Sequence, residues 1–479
     1  MENFNKTKIV ATLGPATNTK EMIRALYKAG VTMFRLNSSH EDVEVHKRNL
    51  DYIREVEKEE ETIIPVLLDL QGPKIRIGHL EKPIELKKGE ILKFRHQNEM
   101  TDDIIPVDYK GIASDVKEGE MILIDDGKIQ FEVQKVENEI IYAKALTDGL
   151  LKQRKGINIP GSTGSIDVLT ERDLKFVKFA AENEIDYLGL SFVRNADDVT
   201  QLREILKSCN NADIKIISKI EKPQAVENID KIIEVSDGIM VARGDLGIEI
   251  STEKVPIVQK TIIRKANIKR KVVIVATQML ESMIENPIPT RAETSDVANA
   301  ILDGTDAIML SGETAAGAYP VKAVEMMKKI SDEVENSPFM RKNKFPRKMI
   351  EEEKDNQAMA IGMSIADMSK KMDIKAVVAL TGSGFTAQFL SEGRLSVPIY
   401  ACCPKINICR TLKLYRGVFP VVVDYEGKID RTELQHADKF MTKKIGLNNG
   451  DKIIFTGSLP DILIGGTNFI KIHKIGSAG

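Results

Sequence analysis

Tryptophan is absent from the 479-residue chain, and all aromatic residues together make up 5%. Charge of one sign is equally scarce: 69 basic residues stand against 71 acidic ones, a formal net charge of −2. A protein that grips nucleic acid presents a basic face, often interleaved with aromatic stacking groups. With no dense basic run and no such platform, nucleic acid is excluded as a partner. Long apolar runs are missing too; Ile63 to Leu70 is among the longest, far short of the ~20 residues that cross a bilayer. The start, MENFNKTKIVATLG, has neither an apolar signal core nor a small-residue cleavage site, so a cytoplasmic location without membrane contact is expected. Only four cysteines occur, at 209, 402, 403 and 409. Two are adjacent, which suits neither an ordinary structural bridge nor zinc-ligand spacing, and four reduced, buried thiols are expected.

What is present is apolar runs in a regular rhythm. Eight short β-branched segments occur: Lys8 to Leu13, Val31 to Leu36, Ile63 to Leu70, Tyr187 to Val193, Ile214 to Ile220, Gly238 to Ala242, Lys271 to Ala276 and Ala307 to Leu310. Between them lie stretches of helical periodicity such as Asp42 to Lys58 and Thr290 to Leu302. Strand-helix alternation repeated eight times predicts a parallel sheet that closes on itself, a (β/α)8 TIM barrel over 1–72 and 157–340. The rhythm breaks at 73–156, where alternating segments (Glu90 to Phe94, Met121 to Ile124, Lys128 to Val133) are separated by Lys88-Gly89, Glu118-Gly119 and Asp126-Gly127. Asp-Gly between alternating runs signals a hairpin, and the segment reads as an inserted small β-barrel placed to act as a lid. After the charged stretch Phe345 to Lys354, residues 341–479 read as a C-terminal α/β domain. It holds a helix from Asn356 to Ser369 and strands at Ala376 to Leu380, Pro398 to Cys402, Val418 to Val423, Lys452 to Phe455 and Phe469 to His473.

Seven of the eight barrel runs end in polar groups: Arg35-Leu36-Asn37, Asp69, Ser191, Lys219-Ile220-Glu221, Arg243-Gly244-Asp245, Thr277-Gln278 and Ser311-Gly312-Glu313. Charge recurring at the carboxyl ends of buried strands marks the rim where barrel active sites sit. Glu221 and Asp245, on neighbouring strand ends, are hard oxygen donors suited to Mg²⁺ shared with a substrate phosphate. Lys219, Arg35, Arg76 and Lys155 supply the positive charge that phosphoryl transfer needs. Gly244 lets backbone approach a ligand closely, and its neighbours' N–H groups could hold a carboxylate. Thr277, Ser311 and Glu313 could relay a proton, with helix capping as the competing role for Ser311. His40, at the start of a helix, suits either a turn or a ligand contact. In the C-terminal region Thr381-Gly382-Ser383-Gly384-Phe385-Thr386 joins a strand to a helix; anion binding and a plain structural turn both fit it.

At these positions the chain resembles the pyruvate kinase family. The blocks TKIVATLGPAT (7–17), FRLNSSH (34–40), LLDLQGPKIRIG (67–78), ISKIE (217–221), DGIMVARGDLG (237–247), ATQMLESM (276–283) and PTRAETSDVANAILDGTDAIMLSGET (289–314) are similar to that family's signatures in their usual order. The resemblance implies phosphoryl transfer from phosphoenolpyruvate to ADP, giving pyruvate and ATP through an enolate, in a homotetramer. It implies Lys219 as transition-state stabiliser, Arg35 on the substrate phosphate, and Glu221 and Asp245 as Mg²⁺ or Mn²⁺ ligands. Gly244, Asp245 and Thr277 fall on the substrate carboxylate, Arg76, Lys155, His40 and Asn37 on the nucleotide side. Asn37, Ser39, Asp69 and Leu70 match a monovalent-cation site, and Thr381, Ser383, Gly384 and Thr386 an effector-phosphate loop. Potassium-dependent members carry Thr, Lys and Glu where this chain has Leu70, Gln71 and Lys74, so the Lys74 ammonium is expected to replace K⁺. Two readings compete: a Mg²⁺-dependent lyase or aldolase working through a pyruvate enolate, and a non-catalytic metabolite sensor.

Overall fold

The computed structural model describes residues 5–101, 103–160, 167–209, 211–340, 344–353, 356–423, 439–458 and 466–477. The extreme amino terminus and Lys354, cited above for the chain start and the charged stretch, lie outside these.

Eight parallel strands close into one barrel: Lys8–Thr12, Met33–Asn37, Val66–Asp69, Tyr187–Leu190, Lys215–Ile220, Gly238–Ala242, Val272–Ala276 and Ala307–Leu310. Each pairs with the next in the chain and the last returns to the first, Lys8 opposite Ala307. All eight predicted runs are therefore strands, with small shifts at the ends. The third starts at Val66 rather than Ile63, directly after Pro65, which has no N–H for a ladder. Alternate side chains point inward, and Val10, Met33, Leu67, Ile217, Met240 and Ile274 fill the barrel interior. Their neighbours, among them Ile9, Phe34, Leu68 and Ile216, face the surrounding helices. Strands buried on both faces read as unbroken apolar runs for this reason.

The segment between the third and fourth barrel strands forms a six-stranded sheet and a two-stranded ribbon, Ile84–Leu86 with Gly149–Leu151. Residues 75–78 bond to Pro106 and Asp108 on one side and to Lys155 and Ile157 on the other, so the ladder runs round into the expected closed ring. The ring and the ribbon share one core that includes Phe94, Val107, Phe131 and Ile141. The Asp-Gly hairpin is as predicted: Ile124 pairs with Ile129, and Asp125, Asp126 and Gly127 all have positive φ.

The C-terminal region is an open five-stranded sheet in the order Val418–Val422, Ile399–Cys403, Ile374–Leu380, Lys452–Gly457, Phe469–Lys474. The last strand is antiparallel to its neighbour. One expectation fails here: Cys403 and Cys409 are bonded to each other, and Cys209 is only half-buried. Cys403 ends a strand and Cys409 lies on the helix Ile406–Leu412, which brings their Cα atoms to 6.4 Å, within bridging reach. The adjacency of Cys402 and Cys403 concealed that pairing.

Candidate active site at the carboxyl rim of the barrel

The barrel closure brings the strand ends together. Arg35 is buried and donates through Nε and Nη2 to Asp69 Oδ2 at 2.8 and 2.6 Å, and through Nη1 to Thr12 Oγ1 at 3.0 Å. Lys219 Nζ donates to Ser191 Oγ at 2.7 Å and pairs with Glu221 Oε1 at 2.9 Å. Asp69 Oδ1 faces the same ammonium at 3.3 Å without hydrogen-bond geometry, so that contact is purely ionic. Burial alone would raise the Asp69 pKa, yet Lys219 and Arg35 together hold it below the usual carboxylate value. Burial works against the charged form of Lys219 as well, and is overcome by Asp69 and Glu221, which raise its pKa. Both cations are thus fixed as cations, aimed by one buried carboxylate.

Glu221 is buried, and its second oxygen accepts from the Phe192 N–H at 2.9 Å. Burial raises its pKa, Lys219 opposes this, and the charge of Asp245 adds to the rise. Asp245 lies in the first turn of the helix Arg243–Ile250 and makes no hydrogen bond or ion pair among the described residues. Two carboxylates close enough to repel each other, with lysine beside them, fit a hard divalent cation that completes its shell with water and substrate oxygens. Among the described residues no group of three or more His, Cys, Asp or Glu converges to hold a metal by itself.

Thr277 and Gln278 follow the strand Val272–Ala276 with φ of 68° and 52°, a region a β-branched residue enters only under constraint. The constraint is Arg243: its Nη2 donates to the carbonyls of Thr277 and Gln278 at 2.9 and 3.0 Å, while Nη1 pairs with Asp296 at 2.6 Å. Thr277 Oγ1 accepts from Gly244 N–H at 2.8 Å, which joins the two expected carboxylate-binding groups. Ser311 does not cap the short helix Gly312–Ala315; its hydroxyl is buried without a hydrogen-bond partner among the described residues. Glu313 stands behind it, accepting from the Ser311 and Leu280 N–H groups at 2.7 and 3.1 Å, its pKa raised by burial.

Asn37 and Asp69 are register partners on neighbouring strands. The Asn37 side chain accepts from Ser39 N–H at 3.1 Å, and His40 lies in that turn, exposed, rather than starting a helix; the helix begins at Val43. Partial burial lowers the His40 pKa, and the charges of Arg35, Arg76 and Lys74 lower it further. Arg76 and Lys155 come from the two joints of the inserted sheets, where Arg76 bridges Gly156 and Lys155 pairs with Asp125 at 2.8 Å. Lys74 packs its Cε over Gly156 and makes no ion pair among the described residues. Leu70 presents its carbonyl to Ser191 Oγ at 2.7 Å.

Away from this rim, Thr381 Oγ1 accepts from Gly384 N–H at 2.9 Å, and Thr386 Oγ1 meets Thr467 Oγ1 at the same distance. The helix Phe385–Glu392 follows Gly384, whose φ is 93°.

Sequence reasoning missed Thr12, Ser191 and Arg243 as orienting groups. Ser191 and Arg243 were visible as polar strand ends, but their partners sit 28 to 121 residues away in sequence, on neighbouring strands.

A family model described as pyruvate kinase, barrel domain, matches residues 4–324, and one described as pyruvate kinase, alpha/beta domain, matches 359–473. The chain is 42% identical over 477 residues to a pyruvate kinase of Sporosarcina psychrophila, covering 99% of this chain and 81% of that one. It is 41% identical over 479 residues to one of Clostridium perfringens, covering 98% and 100%. A crystal structure of a pyruvate kinase from Cryptosporidium parvum superposes with a TM-score of 0.89 at 36% identity, over 98% of this chain and 96% of that one.

Proposed function

The chain belongs to the pyruvate kinase family and is a phosphotransferase; on that footing we propose which of its residues move the phosphoryl group of phosphoenolpyruvate to ADP, the step that yields pyruvate and ATP. The observation that carries this reading is the Arg35, Asp69, Lys219, Glu221 cluster, in which two cations share one buried carboxylate. Arg35 holds the substrate phosphate, and Lys219 stabilises charge that develops on the transferred group and on the enolate oxygen. Glu221 and Asp245 would hold a divalent cation, Mg²⁺ or Mn²⁺, which would supply Lewis-acid charge to the reaction. The N–H groups at Gly244 and Asp245, with Thr277, take the substrate carboxylate. Protonation of the enolate runs past Thr277 and Ser311, with Glu313 fixing the backbone of both neighbouring segments.

Arg76 and Lys155 approach the nucleotide from the joints of the inserted sheets, which act as a lid, with His40 and Asn37 beneath. In this reading no K⁺ is needed. The charges of Arg35, Arg76 and Lys74 are all felt at His40, in the turn that carries Asn37 and Ser39, and a further cation near Asp69 and Leu70 would be repelled. Thr381, Ser383, Gly384 and Thr386 bind the phosphate of an effector. Four copies assemble, covering apolar surface such as Ile257 and Ile288, 66% and 68% exposed. We place the enzyme in the cytoplasm; among the described residues no helix is long and apolar enough to cross a membrane.

The test is a coupled assay of ATP and pyruvate formed from phosphoenolpyruvate, ADP and Mg²⁺, run in potassium-free buffer and again with KCl. ADP-dependent formation of both products at similar rates in the two buffers is expected. Absence of ATP would overturn the residue assignments, and strong activation by K⁺ would overturn the role given to Lys74.

A further inference from the structure

The amino-terminal end of the barrel, opposite the catalytic rim, carries a second concentration of positive charge. Between it and the C-terminal domain lies a cleft of ≈ 360 Å³, at the lower end of the size range of small-molecule sites. Lys215 begins a barrel strand beside Tyr187. Lys269, Arg270 and Lys271 occupy the turn between the helix Val255–Ile268 and the strand Val272–Ala276. Ser383 and Phe385 form the opposite wall.

The charges in this cleft do not cancel. Asp237, the acid in its wall, is already committed to Arg203 Nη2 and to Ile216 N–H, both at 2.8 Å. Lys269 meets Glu352 only at 3.6 Å, both half exposed, a contact worth little in water. Lys215 has no ion pair among the described residues. Lys271 donates to Ser236 O at 2.6 Å; burial lowers its pKa, Asp237 opposes this, and Arg203, Arg270 and Lys215 lower it further. Cations that depress one another's protonation are stabilised by an added anion. Arg270 holds a φ of 57° and lies over the Phe385 ring at 5.5 Å while pairing with Glu353. One barrel residue therefore touches the first turn of the helix Phe385–Glu392, which follows Gly384.

We propose that this cleft is a second anion site, taking a small phosphorylated ligand between Lys215, Lys269, Arg270 and Lys271. Its occupancy joins the barrel to the C-terminal domain at Phe385. The site lies on the barrel side of the Thr381 to Thr386 loop and does not depend on that loop binding phosphate itself.

Equilibrium dialysis of the full-length protein against inorganic phosphate tests this. Lys215→Glu combined with Lys269→Glu should bind about one phosphate fewer per chain, or weaken that binding about tenfold or more. Thr386→Ala should remove at most the phosphate taken by the Thr381 to Thr386 loop, a loss that adds to that of the cleft variant, and a charge reversal at the exposed Lys178 and Lys207 should leave binding within about twofold. Lys215→Gln with Lys269→Gln, which adds no repulsion, should show an intermediate loss and guards against misfolding of the reversed variant. Unchanged binding in both cleft variants, a loss confined to Thr386→Ala, or an equal loss on reversing Lys178 and Lys207 would each overturn the proposal.

Discussion

Asp69 shows how one carboxylate sets the chemistry of two cations. Because its pKa is depressed and that of Lys219 is raised, the pair stays ionised across the physiological range, and neither group can act as a proton shuttle. Lys219 therefore acts as a fixed charge. Lys219→Met should leave the KM for phosphoenolpyruvate within about threefold, since Arg35 still holds the phosphate, and cut kcat by about three orders of magnitude or more. Steady-state kinetics decide it; a rise in KM with kcat intact would show a binding role instead. His46 is 2% exposed, packs edge-on against Phe176 and has its pKa lowered to about 4 by burial. In the unfolded chain the ring takes a proton near its ordinary value of 6.5, so between pH 6.5 and 4 the unfolded state binds more protons and stability falls as pH falls. The loss reaches about 3 kcal/mol at pH 4. Thermal melts of His46→Leu should lack this component, and an unaltered pH slope would remove His46 as its source.

At the scale of elements, the positions of polar groups depend on which strand lies beside which. Gly189 is in the interior of the strand Tyr187–Leu190, opposite Asp69 in register, and a Cβ added there would sit 2.8 Å from Asp69 Oδ1. Glycine costs a strand entropy, so its presence here follows from the close approach of a carboxylate. Gly189→Ala should push Asp69 off Arg35 and Lys219, lowering kcat/KM by about tenfold or more while costing about 1–3 kcal/mol of stability. A crystal structure of the variant with Asp69 unmoved would defeat that account. The same scale explains the miss at Ser311. Its place before a predicted helix suggested capping, but the helix is one turn long and Glu313 takes the N–H.

At the scale of the whole molecule, the barrel and the C-terminal domain are joined by buried ion pairs. Arg410 reaches Glu57 at 2.6 Å and Glu184 at 2.7 Å, but Glu57 is 9% exposed and Glu184 66%. Only the first contact carries weight, because water screens the second. Arg416 with Glu335 and Arg394 with Asp306 repeat the pattern. Arg410→Met should lower stability by about 3 kcal/mol, since it strips Glu57 of its nearest partner. Glu184→Gln should change it by less than about 1 kcal/mol. Urea unfolding of both variants measures the contrast; equal effects would refute it.

The chain order alone determined the barrel, its interruption and the open C-terminal sheet. Apolar periodicity is a local property, and eight repeats leave one way to bury every strand. It also marked Lys219, Glu221, Asp245 and Arg35, because charge at the end of a buried run is conspicuous without any partner. The tertiary structure decided the rest: that Asp69 bridges the two cations, that Arg243 holds Thr277, that Cys403 meets Cys409, and that lysines from separate turns share one cleft. Each of these is a distance between residues far apart in sequence, and side-chain identity says nothing about such a distance until the barrel has closed.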